Sequence, residues 1–569
     1  MPKNIDENYL RKLQKAQNEP FKCAAFSGGG AKGAIYSGAH EALVNSGILD
    51  GLEALAGSSA GAITAAAIST GISKKYFQKI STETNLKGLL GDGFLTKDGK
   101  PLYDLVKTIV STNISDYLSD ANFGGVKELS EKRVNKIQKE LNGLEKDIND
   151  SGGDSTASES DTKNSEHAKH RIDALTYQLD KLQSALKNNC KQLRDLKEKA
   201  EKNESITFKD LEILHIIDPI KFKDLIITAT NKGTGELTIF NAKEKPDVEI
   251  ALACRASASI PLVFEPVDIN GTKYVDGGYR DNIPTKYFQD SDMQPKLLES
   301  LKQVQDSKKE GRILTLAFGS CEPDNRANIA IYSQKENKSD MNFLMKFLVN
   351  VVFKMVSKVK GTFTYTDEDD KTHEELRENA LNTVLLDTKD VSTLSFDKAQ
   401  AKAEYLHEKG NIQTARHFDN FEIGKREENL DLREFALQLH ESTQSEGLIE
   451  TWKDKILGGK EEKLKKRLSY CKSETWKAKK PDYVLEDFIA VAAMTRSGST
   501  TLSNSTNTMS KMIAQLNDPQ TSDKVRKHFN KVLDKASDNK TYEKSDFNDL
   551  LKKKEQDISR LQKQNTHQK

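Results

Sequence analysis

At 569 residues the chain has room for roughly two to four domains of about 100–200 residues each. Its 87 basic and 86 acidic residues exclude a global field that would gather nucleic acid or an anionic membrane, so any such attraction is local. Hydrophobic residues at 36% and charged ones at 30% point to long solvated helices beside a smaller dense core, and Cys23, Cys190, Cys254, Cys321 and Cys471, scattered with no C-x-x-C pair, exclude a disulfide framework and a cysteine zinc site.

In chain order, residues 1–19 are polar and charged and read as a helical lead without the apolar core of a Sec-type signal peptide. Residues 20–110 and 205–320 alternate short apolar runs with glycine turns and helical stretches, the texture of an α/β sheet. CAAF, LEALAG, FKDLIITAT, ELTIF, KYVDGG and RILTLAFG are the predicted strands. Between these blocks, Val134, Ile137, Leu141, Leu144 and Ile148 step by three and four. So do Ile172, Leu175, Leu179, Leu182, Leu186, Leu193 and Leu196, with Asn189 at the missing seam position. Joined by the acidic, low-complexity NDSGGDSTASESDTKNSEH, they predict a coiled-coil-like helical hairpin inserted at 131–203.

Further on, residues 341–359 form the most apolar helical stretch, but Lys346, Asn350, Lys354 and Lys358 interrupt it, so it does not read as a membrane span. Phe343, Phe347, Val351, Met355 and Val359 share one face, which suits either the core or a lipid interface. Residues 420–569 are helical in pattern, rich in Lys, Glu and Asp, and nearly free of glycine after Gly498. They predict a separate all-α domain whose lysine runs are a solvated face or a membrane or partner surface.

Three short stretches carry chemistry. In FSGGGAKGAIYSG, Gly28, Gly30 and Gly33 fit the dinucleotide-binding fingerprint G-x-G-x-x-G. Three consecutive glycines, Gly28 to Gly30, suit a nest of backbone N–H donors for a tetrahedral oxyanion somewhat better than a pyrophosphate turn, with Lys32 adding positive field. In LAGSSAGAITAAAIS, Gly57, Ser59 and Gly61 form G-x-S-x-G between an apolar run and an alanine-rich helix, the context of a nucleophile elbow; Ser58 adds a neighbouring hydroxyl. A serine nucleophile needs a base, and none of the ten histidines lies at a strand end beside glycines. Asp276 does, in KYVDGGYRDNIP, where Gly277 and Gly278 turn the chain after the carboxylate, and a desolvated carboxylate can accept the serine proton directly.

In combination, SGGGAKG, GSSAG and DGG, in this order, resemble the patatin-like phospholipases, serine acyl hydrolases with a Ser–Asp dyad. LTIFNAKEKPDVEIALACRASASIPLVFEPVDINGTKYVDGGYRDNIP resembles that family's approach to its aspartate, and VLLDTKDVSTLSFD with YLHEKGNIQTARHF resembles its last strand and helix. The resemblance covers about 20–418 without the 131–203 insertion. It implies a three-layer α/β sheet with flanking helices, Ser59 as nucleophile, Asp276 as base, and an oxyanion loop at Gly28, Gly29 and Gly30. In that motif Lys32, Gly33, Gly57, Gly61, Gly277 and Gly278 are supports, and the family implies neither a metal nor a cofactor. The activity implied is phospholipase A or lysophospholipase hydrolysis at a phospholipid membrane surface, with no nucleic-acid partner.

The domain layout resembles secreted bacterial effectors of this family, which implies work on host membranes after activation by a host protein, ubiquitin or a small GTPase being the class to test. Alternatives are a cytoplasmic lipid-remodelling esterase, a silent binding protein on the same fold, and a nucleotide-dependent oxidoreductase.

Overall fold

The computed structural model describes residues 20–93, 96–151, 159–288, 313–319, 382–388 and 391–420. The chain divides into one unit of Met1–Gln400 with Gln413–Lys425 and a second of Ala401–Ile412 with Arg426–Lys569. Of the second, only the helical segment Ala401–Ile412 is described. The helical lead at 1–19, the apolar face at 341–359 and nearly all of the C-terminal domain expected at 420–569 lie outside the described residues.

The first unit is built on strand β1 (Cys23–Phe26), helix α1 (Tyr36–Asn45), β2 (Ala54–Ser58) and α2 (Ala60–Ser69). Helices α3 (Lys74–Glu83) and α4 (Lys100–Tyr117) lead into the long pair α5 (Asp120–Ser151) and α6 (Glu159–Glu201). Next come α7 (Phe208–Ile217), β3 (Asp224–Asn231), β4 (Leu237–Phe240), α8 (Ile250–Ser257), β5 (Val267–Ile269) and β6 (Thr272–Asp276). Strands β7 (Ile313–Phe318) and β8 (Thr383–Leu386) and helix α9 (Phe396–Ala401) follow, and then helix α10 (Ala403–Asn420), of which residues 403–412 are counted to the second unit.

All eight strands form one sheet. Strands β3, β2, β1, β7 and β8 run parallel, and β1 and β2 are buried along their whole length, as unbroken small-apolar runs such as CAAF require when both sheet faces are covered. One face packs Cys23, Ala25, Ala54, Ala56 and Ile226 against Ile283, Tyr287 and Phe288. Helix α2 packs against β2 and β3, and α8 packs against β3 and β6, giving the three-layer arrangement. The alanines of α2 serve both requirements, since alanine is the best helix former and its small side chain lets the helix lie close to the strands.

The pairings of β3 determine where the site lies. Residues Asp224 to Thr228 pair with β2, Ala229 to Asn231 pair with β6, and Ile227 to Thr230 pair with β4. Because β4 overlaps both neighbours and a strand has only two hydrogen-bonding edges, β2 and β6 must share one edge of β3. They meet end to end, with Ser58 opposite Thr228 and Asp276 opposite Ala229.

Helices α5 and α6 pack along one another, and α6 also packs against α4 and α7. The first of the paired helices begins at Asp120, upstream of the first heptad position, Val134. Ile137, Leu141, Leu175, Leu179, Leu182, Leu193 and Leu196 are buried. The heptad line is not continuous, however. At Lys187 the backbone leaves the helix, and Asn188, Asn189 and Cys190 take left-handed φ of 51°, 58° and 60°. Asn189 is therefore exposed outside the seam, and Cys190 is the buried residue there. Asparagine adopts left-handed φ more readily than most residues, which makes KNN the place where the helix breaks.

Candidate active site

Ser59 occupies the sharp turn between β2 and α2 with φ 52° and ψ −121°, a conformation a non-glycine residue keeps only when its surroundings impose it. Small neighbours make the turn sterically possible. A Cβ on Gly57 would lie 2.2 Å from the Gly61 carbonyl oxygen, and one on Gly61 would lie 2.1 Å from that of Phe26. Both glycines are thus fixed by backbone packed on backbone, and Gly33 likewise packs against the Ala60 methyl. Ser58 is buried against Gly277, and its hydroxyl has no hydrogen-bond partner among the described residues.

The end-to-end meeting of β2 and β6 brings Ser59 and Asp276 together across 217 residues of sequence. Ser59 Oγ donates to Asp276 Oδ2 at 2.7 Å, and the N–H of Gly278 donates to Oδ1 at 2.8 Å. Burial pushes the Asp276 carboxyl up to about 7, against the downward pull of those two hydrogen bonds. The aspartate backbone is fixed as well: its N–H donates to the Ser259 carbonyl at 3.0 Å, and its carbonyl accepts the Thr230 hydroxyl at 2.9 Å. No described histidine hydrogen-bonds to Ser59.

The glycine loop lies beside this pair, a Cβ on Gly28 being 3.1 Å from that of Ser59. Its three amides are not equivalent. Gly28 N–H donates to the Asn282 carbonyl at 3.1 Å, whereas those of Gly29 and Gly30 have no acceptor among the described residues. Gly30 needs to be glycine, since its φ is +54° and a Cβ would sit 2.3 Å from the Thr393 carbonyl oxygen. Lys32 extends over the ring of Phe318, its ammonium 5.7 Å from the ring centre.

Several residues at the site escaped the motif reading. Ser257 accepts the Ser59 N–H at 2.9 Å, Thr230 and Ser259 hold Asp276, and the Asn282 Oδ1 abuts both Gly28 and Gly278. For Ser257, Ser259 and Asn282 the only signal in sequence was the small polar run RASAS before IP and the N-x-P after DGG, and Thr230 had none. Among the described residues no group of three or more His, Cys, Asp or Glu side chains is placed to hold a metal ion, and no helix is long and apolar enough to cross a membrane.

Residues 24–288 match the family model of the patatin-like phospholipases. Two viral proteins align with part of the chain. The probable lipid hydrolase 463L of Invertebrate iridescent virus 6 is 34% identical over 120 residues, 19% of this chain and 39% of that protein. The uncharacterized protein R571 of Acanthamoeba polyphaga mimivirus is 40% identical over 68 residues, 12% of this chain and 23% of that one. The chain therefore spans well under half the length of these relatives. Among solved structures, VipD from Legionella pneumophila aligns at TM-score 0.39 and 18% identity, over 86% of this chain and 90% of that one. Full-length ExoU, solved with SpcU from the type III secretion system of Pseudomonas aeruginosa, aligns at TM-score 0.27 and 20% identity, over 75% and 63%.

Proposed function

We propose that this chain, whose residues 24–288 match the family model of the patatin-like phospholipases, hydrolyses fatty-acyl esters of glycerophospholipids as a phospholipase A or lysophospholipase. The observation that carries the reading is the 2.7 Å hydrogen bond from Ser59 Oγ to Asp276 Oδ2, made to a carboxyl that burial pushes up to about 7.

A carboxylate of ordinary acidity is a poor acceptor for a serine proton. One tuned close to neutrality is matched to general-base work at physiological pH. As Ser59 Oγ attacks the ester carbonyl, its proton passes to Asp276 Oδ2. The tetrahedral oxyanion is met by the amides of Gly29 and Gly30, oriented before the reaction begins; removing a donor of this type typically costs about 3–4 kcal/mol of barrier. Collapse expels the lysolipid or alcohol with the proton from Asp276 and leaves an acyl ester on Ser59. Water then attacks that ester, gives its proton to Asp276, and fatty acid leaves as Ser59 is restored.

The test is release of free fatty acid from mixed phospholipid vesicles by wild type, Ser59→Ala and Asp276→Asn, with and without eukaryotic cytosol. The cytosol arm addresses the host activator that the domain layout implies. Activity in wild type alone supports the reading. Equal activity in all three proteins, or a wild type that neither hydrolyses lipid nor reacts at Ser59 with a fluorophosphonate, rules it out. Because Asp276 must be ionised to act, kcat/KM is expected to rise with pH along a limb whose midpoint lies near 7.

A further inference from the structure

The turn that closes α8 reaches both members of the Ser59–Asp276 pair. Ser257 Oγ accepts the Ser59 N–H at 2.9 Å and donates its own proton to the Thr228 carbonyl at 2.6 Å; the residue is fully buried. Two positions on, the Ser259 carbonyl accepts the Asp276 N–H at 3.0 Å. Ser259 Oγ is held by the Arg255 guanidinium at 2.7 Å, and Arg255 is anchored on the Asp98 and Glu265 carbonyls at 2.7 and 3.3 Å.

With its proton committed to Thr228, the Ser257 hydroxyl is held with a lone pair toward the Ser59 amide. That amide belongs to a residue at φ 52°, where the backbone stays only while its surroundings hold it. It is also occupied, so it does not serve as an oxyanion donor.

We propose that Ser257 is the positioning residue of the nucleophile: its hydroxyl ties the strained Ser59 backbone to the Thr228 carbonyl of β3 and so keeps Ser59 Oγ on Asp276. The proposal rests on the hydrolase reading above. Without that hydroxyl the Ser59 N–H is buried with no acceptor, the turn relaxes, and Oγ drifts from Asp276 Oδ2. Asp276 then loses one of the two hydrogen bonds that hold its carboxyl down, so its ionisation moves to higher pH.

The experiment compares the full-length wild type with Ser257→Ala, using Ser59→Ala as the blank. The rate of fluorophosphonate labelling at Ser59, located by peptide mass spectrometry, is followed against pH, together with kcat and KM on phosphatidylcholine vesicles. All rates are expressed per folded molecule, with the folded fraction taken from circular dichroism. Expected for Ser257→Ala is a loss of roughly 10- to 100-fold in labelling rate and kcat with KM within about two-fold, and an acid limb moved to higher pH. A labelling rate equal to wild type overturns the proposal. So does a slower rate with an unmoved midpoint, which marks a merely structural serine. If wild-type Ser59 is not labelled at all, the hydrolase reading fails and the positioning role falls with it. If wild type and Ser257→Ala label alike, only the positioning role falls.

Discussion

The same three strands β1, β2 and β3 carry polar groups at both ends, handled in opposite ways. At their N-terminal ends Lys22 pairs with Glu53 at 2.9 Å, and the buried Lys223 ammonium donates to the Pro219 carbonyl, its pKa lowered to about 8 by burial. Beside it, burial first and the Glu212 charge second push the Asp224 carboxyl up to about 7. At the far end Asp276 is pushed equally high. Two buried aspartates in one sheet thus share the same altered acidity. What separates them is the neighbour: the hydroxyl of a strained serine faces Asp276, whereas Asp224 accepts the N–H of Leu225, the next residue in its own strand. Altered acidity therefore marks burial, and the nucleophile at bonding distance marks the candidate site.

Substitution breaks this comparison most sharply. Ser59→Ala and Asp276→Asn are each expected to lower fatty-acid release by about 10³-fold or more, while Asp224→Asn leaves kcat/KM within about two-fold in the same vesicle assay. Comparable losses from Asp224→Asn would mean that the two ends are not functionally distinct.

Stability, by contrast, should treat the two aspartates alike. Below about pH 4 the carboxyls are protonated both in the folded chain and in the unfolded one. As pH rises from about 4 to 7 the unfolded groups ionise while the buried ones stay protonated. Stability present in acid is therefore lost across this window and levels off above it, by up to about 4 kcal/mol for each group. Urea unfolding at pH 5 and pH 8 is expected to show a smaller acid-to-neutral loss for Asp224→Asn than for wild type.

A second contrast sets the elbow against the helical hairpin. Gly57→Ala forces a methyl onto the Gly61 carbonyl and is expected to cost about 3 kcal/mol or more in urea unfolding. Gly143→Ala on α5, where a Cβ meets nothing within 4 Å, is expected to stabilise by up to about 1 kcal/mol. A neutral Gly57→Ala would show that the turn is not held by backbone contact.

The parallel strands were legible because CAAF is an unbroken small-apolar run and LEALAG ends in one, a pattern that survives in any context that buries both sheet faces. The hairpin was legible from its leucine steps, but its break at Asn188 and Asn189 was not. The heptad count carries across that point, and only the backbone reveals that Cys190 has taken the buried place. The glycine loop was legible as a cluster of donors. That Gly28 gives its amide to Asn282 depends on a chain segment more than 250 residues away, beyond the reach of any local pattern.

By itself the sequence determined the turn chemistry: G-x-S-x-G admits the sharp strand-to-helix turn because no Cβ intervenes, and D-G-G lets an amide fold back onto the aspartate carboxylate. Tertiary structure decided that these two turns face each other. Strand β3 is long enough to seat β2 and the antiparallel β6 consecutively on one edge, so their ends abut and Ser59 meets Asp276. That juxtaposition follows from sheet register, which hydrogen bonding between distant strands fixes and which no residue in either motif encodes.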